Sequence, residues 1–270
     1  MLDPTPSNDP DAPARYAVQD GIATITLNRP EALNAMDGPL MDATRAGIIA
    51  ANNDDSVRVV ILTGAGRGFC AGGDLRASGT LGEGPTEARI SILRTYMQTS
   101  QMLREMRKVT IAAINGAVAG AGLAWACAAD LRYAADSAKF LTAFGNVGLS
   151  GDFGGTWTLP RIVGPAKARE LYLLGDTLDA QQALQIGLVS DVFPADAFLE
   201  RVGEIAQRLH DRAPISLQHI KRNLNEADRL SFSEALDGEA ERHVRSGGTE
   251  DQTEAVSAFF ERRAPVFHNR

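Results

Sequence analysis

The chain is poor in the residues from which several kinds of site are built. Cysteine occurs twice in 270 residues, as Cys70 and Cys127, too few for a disulfide framework and without metal-ligand spacing. All four histidines, His210, His219, His243 and His268, lie in the last quarter of the chain. The glycine-rich centre therefore has no imidazole of its own, which disfavours Ser-His hydrolysis there, and no HExxH zinc pair is present. No run of about 18 apolar residues occurs, and the N-terminal segment MLDPTPSNDPDAPA lacks the basic and apolar regions of a secretory signal. A cytoplasmic protein outside the membrane is expected. Lys and Arg total 27 against 34 Asp and Glu, a net charge of −7, and no basic block appears before the tail. That argues against nucleic acid as a partner and requires any anionic ligand to find a local basic site.

What is present reads as an α/β enzyme. The first fourteen residues hold four prolines and three aspartates and no apolar period, so 1–14 is expected to be a disordered arm. Tyr16 to Asn28 reads as two strands turning at Asp20-Gly21. Asp37 can cap a helix from about Pro39 to Ala51, and Val57 to Thr63 is a β-branched run suited to a strand buried on both faces. A polar stretch, Ala77 to Pro85, is expected to be a mobile loop, followed by a long helix from Thr86 to Arg107. Thr110 to Ile114 is strand, Gly120 to Ala129 helix, and Leu131 to Ala134 strand. Gly145 to Gly155 is a glycine-rich turn, with helices at Ala166 to Leu174 and Ala180 to Ile186 and a last strand at Leu188 to Phe193. The division predicted is a core over 15–194 and an all-helical region over 195–270, with helices near 195–211, 215–227, 233–246 and 250–263.

Two Gly/Ala-rich turns follow strands. GAGRGFCAGGD, from Gly64 to Asp74, has Phe69 where a GxGxxG motif needs glycine, and no Gly-Lys-Ser/Thr closes it as a P-loop. NGAVAGAGLAWACAAD, from Asn115 to Asp130, matches neither motif and runs into a helix. Backbone N–H groups in such turns are unspent, and small side chains let a ligand atom approach them. One donor from each turn would suit a single oxyanion, with a helix dipole adding about 0.3 to 1 kcal/mol.

These segments, together with ITLNRPEALNAM (Ile25 to Met36), VGLSGDFGGTWTLPRIVG (Val147 to Gly164) and SAFFERRAPVF (Ser257 to Phe267), resemble the enoyl-CoA hydratase/isomerase family, the crotonase superfamily, from about Arg15 to Phe267. The resemblance implies a spiral of ββα units with a C-terminal helical trimerisation region, assembled as a homotrimer or dimer of trimers. It implies an acyl-CoA thioester as substrate, with coenzyme A part of that substrate and no separate cofactor or metal. By position it assigns an oxyanion hole to the N–H groups of Ala71 and Ala121. It assigns coenzyme A contacts to Glu31, Ala32, Leu33, Gly73, Asp74 and Leu75, with Phe259 and Arg262 reaching the nucleotide end, often from an adjacent subunit. The acyl pocket falls to Ala124, Phe144, Phe153 and Trp157, with the Ala77 to Pro85 loop beside them.

The sequence departs from the family where its chemistry is decided. Hydratases resembling it use two glutamates, which fall here on Ala124 and Phe144, and neither moves a proton. Asp152 stands nearby, in a D-x-GG-[ST]-W context similar to an isomerase subgroup. One carboxylate suffices for an isomerase, because the group that removes a proton also returns it elsewhere while the thioester oxygen holds the charge. Burial among apolar groups should raise the Asp152 pKa toward that of a useful base. A hydratase-like lyase using Asp152 alone and a non-catalytic acyl-CoA binder are the alternatives.

Overall fold

The computed structural model describes residues 5–76 and 84–270. Strand β1 (Ala14–Gln19) pairs antiparallel with β2 (Ile22–Leu27). The Asp20-Gly21 turn between them takes φ of 48° and 74°, the left-handed pair that a two-residue hairpin of this twist needs. Helix α1 (Gly38–Asn53) starts where the Asp37 carboxylate accepts the Leu40 N–H at 2.9 Å.

From there the chain repeats a single move. A strand enters a large sheet, the next enters a small sheet, and a helix returns. The units are β3 (Val59–Gly64), β4 (Gly68–Cys70) and α2 (Thr86–Glu105); β5 (Val109–Ile114), β6 (Ala117–Ala119) and α3 (Ala121–Ala128); then β7 (Leu131–Ala135), β8 (Lys139–Leu141), α4 (Gly155–Val163) and α5 (Pro165–Leu174). After them come β9 (Leu178–Asp179), α6 (Ala180–Gln185) and β10 (Asp191–Phe193), and last α7 (Phe198–His210), α8 (Pro214–Ala227), α9 (Phe232–Gly247) and α10 (Glu250–Glu261). The six-stranded sheet has the order β1-β2-β3-β5-β7-β10 and the four-stranded sheet β4-β6-β8-β9. This is the expected spiral of ββα units.

The two faces of the large sheet bury separate clusters. One gathers Ile25, Leu27, Leu40, Ile48, Leu62, Ile114 and Trp125 with α1, α2 and α3. On the other, Val59, Ile61 and Ile111 meet Phe198, Val202 and Ala206 of α7. Helix α7 thus completes the core, although the sequence groups it with the helical tail from 195.

The N-terminal arm also departs from expectation over its described part. The Tyr16 N–H donates to Ser7 O at 2.7 Å, and the Asn28 amide donates to Pro10 O and Ala12 O at 2.8 and 2.9 Å. One side chain satisfies two carbonyls there, so residues 7–13 are tied to the start of β1 and to Asn28 instead of being disordered. Residues 77–83 of the expected loop lie outside the described residues.

Candidate active site

Strands β4, β6 and β8 are parallel neighbours in the small sheet, so their C-terminal ends open on one edge. The segments leaving them carry Gly73, Ala121 and Phe144. In parallel sheets such an edge is where ligands bind.

The turn after β4 is stitched to the 30–37 turn by three backbone bonds. Ala71 N–H donates to Leu33 O at 3.0 Å, Met36 N–H to Gly72 O at 2.7 Å, and Asp74 N–H to Met36 O at 2.9 Å. The Gly72 N–H is taken by the Cys70 thiol. This corrects the assignment of Ala71 as an oxyanion donor, because its single hydrogen is spent on Leu33. Among the described residues, the Gly73 amide is the one between 71 and 74 that donates to no protein acceptor.

Ala121 fares differently. It opens α3, where an N–H has no intrahelical partner, and it is absent from the positive-φ residues because Gly120 takes the turn at φ 51°. A backbone donor is therefore available at this position. The two turns meet closely: a Cβ on Gly72 would lie 3.0 Å from Ala119 O and 3.5 Å from Ala121 N, and one on Gly122 would lie 2.3 Å from Cys70 O. Only glycine at 122 lets α3 approach this near. The turns that carry the Gly73 and Ala121 amides thus meet on one edge of the small sheet.

Three side chains absent from the expected site hold these turns. Asn34 is fully buried; its amide donates to Ala65 O and Gly68 O at 3.0 and 2.7 Å, and its Oδ1 accepts the Arg29 N–H at 2.8 Å. Asn115 accepts Gly64 N–H at 3.1 Å and donates to Gly66 O at 2.9 Å. Arg29 donates to Ala35 O at 2.6 Å and pairs with Asp37 at 3.2 Å and Asp74 at 3.0 Å. An Asn in a turn beside a buried strand is the signal that marks such a local tie, and both asparagines stand in that position.

Asp152 lies in a turn of unusual backbone. Gly151 and Gly154 have φ of 105° and 78°, and Phe153 between them has φ 48°. A left-handed Phe is strained, by about 1 to 3 kcal/mol in typical cases. It is held by burial against Trp125, ring edge to face at 5.8 Å. One Asp152 carboxylate oxygen is buried with no hydrogen-bond partner. Desolvation raises its pKa to about 6. A base of this kind ionises near neutrality yet retains proton affinity.

The expected pocket residues divide. Ala124 and Phe144 are both buried and face the edge: Phe144 Cζ is 3.7 Å from where a Gly120 Cβ would stand, and Ala124 Cβ is 3.1 Å from the same point on Gly155. Phe153 belongs to the core cluster with Trp125. Trp157 lines a cleft with Phe153 between α2 and α4 and reaches the surface. It lies 40% exposed with the Arg161 and Arg104 guanidinium groups 3.7 and 4.6 Å from its ring centre. A helical advance from Asp152 carries it onto the surface beside α8.

Of the expected coenzyme A contacts, Glu31, Ala32, Leu33, Gly73, Asp74 and Leu75 are brought together by the stitched turns, and Leu75 is 73% exposed. Phe259 is 78% exposed on α10, and Arg262 caps that helix in a left-handed conformation. No described hydrogen bond or ion pair joins either residue to the 31–36 or 71–75 turns. A cleft of about 840 Å³ lies between the large sheet and α7 and contains none of the expected site residues. Among those residues there is also no cluster of metal-ligating side chains and no helix long and apolar enough to cross a membrane.

A family model described as enoyl-CoA hydratase/isomerase matches residues 17–270. The chain belongs to the enoyl-CoA hydratase/isomerase family. It is 38% identical over 251 residues to 1,2-epoxyphenylacetyl-CoA isomerase of Escherichia coli K12, covering 93% of this chain and 96% of that protein. It is 35% identical over 252 residues to 2,3-dehydroadipyl-CoA hydratase of the same organism, covering 93% and 97%. An enoyl-CoA hydratase structure from Bacillus anthracis superposes with a TM-score of 0.90 at 30% identity, over 95% of this chain and 99% of that one.

Proposed function

We propose that the protein is an acyl-CoA isomerase in which Asp152 moves a proton along the acyl chain while the Gly73 and Ala121 amides hold the thioester oxygen. The observation that carries this reading is Asp152 itself: a half-buried carboxylate with one buried, unpartnered oxygen and a pKa raised to about 6, in a chain with Ala124 and Phe144 at the positions of the hydratase glutamates. A buried polar group without a partner is costly to keep, and use as a base explains it. The ionised carboxylate takes a proton from an acyl carbon. The electron pair of that C–H bond passes into the enolate, with its charge on the thioester oxygen between the two amides. The protonated Asp152 then returns the same proton to another carbon, and the double bond forms in its new place. No atom is gained or lost. Each amide donor of such a site supplies about 2.7 to 4 kcal/mol in measured cases.

The relative named as an isomerase, at 38% identity, supports the reading. Reducing surroundings fit Cys70 and Cys127, both buried, with thiol pKa values raised by burial to about 12 and about 11. A homotrimer or dimer of trimers would cover the apolar side chains that α8, α9 and α10 leave exposed, Leu224, Phe232, Val244, Phe259 and Phe260 among them, and would allow a neighbouring α10 to bring Phe259 and Arg262 to the coenzyme A end.

The test is turnover of a 3-enoyl-CoA in deuterium oxide. Wild type should shift the double bond into conjugation, and Asp152→Asn should abolish this while acyl-CoA still binds. A 3-hydroxyacyl-CoA as main product would replace the isomerase by a hydratase. Binding without exchange of the α-proton would make the protein a non-catalytic binder.

A further inference from the structure

The tyrosine of α5 has no place in the chemistry described so far. Tyr172 is half-buried, and its hydroxyl oxygen lies 2.4 Å from the point where a Cβ on Gly155 would stand. Ala124 Cβ is 3.1 Å from that same point. The Tyr172 ring stacks on Phe144 at 6.1 Å and 16°, and Phe144 in turn reaches Gly120 beside the Ala121 amide. The ring edge lies 3.8 Å from the Cβ position of Gly151, next to Asp152. The phenol thus stands against Ala124 and Phe144, the two positions where the resemblance places the hydratase glutamates.

Burial, the Cys127 thiol and the Asp152 carboxylate all raise the Tyr172 pKa, so the hydroxyl remains a donor at any physiological pH. No described hydrogen bond ties it to the protein, so its oxygen, which water can reach, is free for a ligand, while the buried Asp152 Oδ1 has no partner either. A phenylalanine would fill the same volume without a polar group to satisfy. A hydroxyl beside an apolar wall with no bond to the protein can exchange water for an acceptor that arrives with the ligand.

We infer that Tyr172 is a specificity-determining residue whose hydroxyl hydrogen-bonds an oxygen carried on the acyl group, so that the site takes oxygen-bearing acyl-CoA thioesters in preference to all-carbon ones. This rests on the proposed acyl site but not on Asp152 acting as the base. Sites built to bond a substrate's polar group discriminate far more strongly than apolar pockets do.

Binding of unreactive, saturated ligands tests the inference apart from turnover. Octanoyl-CoA is compared by calorimetry with its analogues bearing one ether oxygen in place of the methylene at C6 or at C7, on wild type and Tyr172→Phe. The expected result is that, for at least one analogue, the ratio of ether to all-carbon affinity is at least tenfold higher in wild type than in the variant, with octanoyl-CoA itself bound within threefold by both. Equal ratios in the two proteins, for both analogues, overturn the inference. So does an equal loss of affinity for every ligand, which would mark Tyr172 as structural. A second measurement excludes the nearest alternative, a hydroxyl that serves Asp152. The pH midpoint of isomerisation should be unchanged in Tyr172→Phe, and a rise of one pH unit or more would assign the hydroxyl to the carboxylate. Failure of the proton-shuttle reading would appear separately, as activity retained by Asp152→Asn.

Discussion

Asp152→Asn should stabilise the protein at pH 8 and lose that advantage in acid. The folded Asp152 titrates near 6 against an ordinary 3.8, raised by desolvation. Below about pH 4 the carboxyl is protonated in both folded and unfolded chains, and burial costs no ionisation energy. Between the two values the unfolded chain ionises first, so stability falls as pH rises through the window, and above about 6 the full penalty is present. The difference corresponds to about 3 kcal/mol at 1.36 kcal/mol per pH unit. Partial exposure of the carboxyl screens it, leaving about 2 kcal/mol. Asparagine has the same shape and never ionises. About a third of the penalty is already present at pH 4.5, so thermal unfolding should show the variant gaining about 3 °C more at pH 8 than at pH 4.5, given roughly 2 °C per kcal/mol for a chain of this size. A difference that does not change with pH would mean that the carboxylate is solvated, and the argument for a tuned base would fail. A change of opposite sign would mean that a cation pairs with it.

Other consequences can be checked as directly. The isomerisation kcat/KM should rise with pH through a midpoint near 6, since the ionised Asp152 accepts the proton; a flat profile between pH 5 and 8 would point to another base. Gly122→Ala places a Cβ 2.3 Å from Cys70 O and must push α3 off the first turn, so kcat should drop by about 100-fold while acyl-CoA affinity changes little, and unaltered kcat would refute the close pairing of the two amides. Arg29→Met removes the cation that ties Ala35, Asp37 and Asp74 together, and steady-state kinetics should show KM rising more than kcat falls. Trp157→Leu should leave kcat within about twofold, because its ring lies between two arginines and reaches the surface; an effect of about 100-fold would place it in the acyl site.

The large sheet and its helices were legible in the sequence because their residues repeat with a period. Val59 to Gly64 is five buried residues and a glycine, and the Asp20-Gly21 hairpin announces itself. The small sheet was not legible. Its strands β4, β6 and β8 are three residues each, too short to show alternation, and they are defined by their partners in space. Helix α4 was also missed, since it begins after two glycines and contains Pro160, both of which read locally as loop. For the site, motif spacing located the two turns but could not tell which amide of AGGD is unspent, since that depends on the bonds to Leu33 and Met36 across the chain. Asp152 was expected from its D-x-GG-[ST]-W context, which resembles that of an isomerase subgroup. Tyr172 was not, because it enters from a helix twenty residues further on.

The adjacency of β4, β6 and β8 divides the labour of the site among successive turns of one coil. The first two strand ends contribute main-chain groups, which no substitution short of proline deletes. The third ends in Phe144, and what it offers is only a side chain. Mutation there, and in the Asp152 turn beyond, can exchange one reaction for another while the grip on the thioester is left untouched. A scaffold arranged in this way can diversify its chemistry at one rim position at a time, with its main-chain donors out of reach of side-chain replacement.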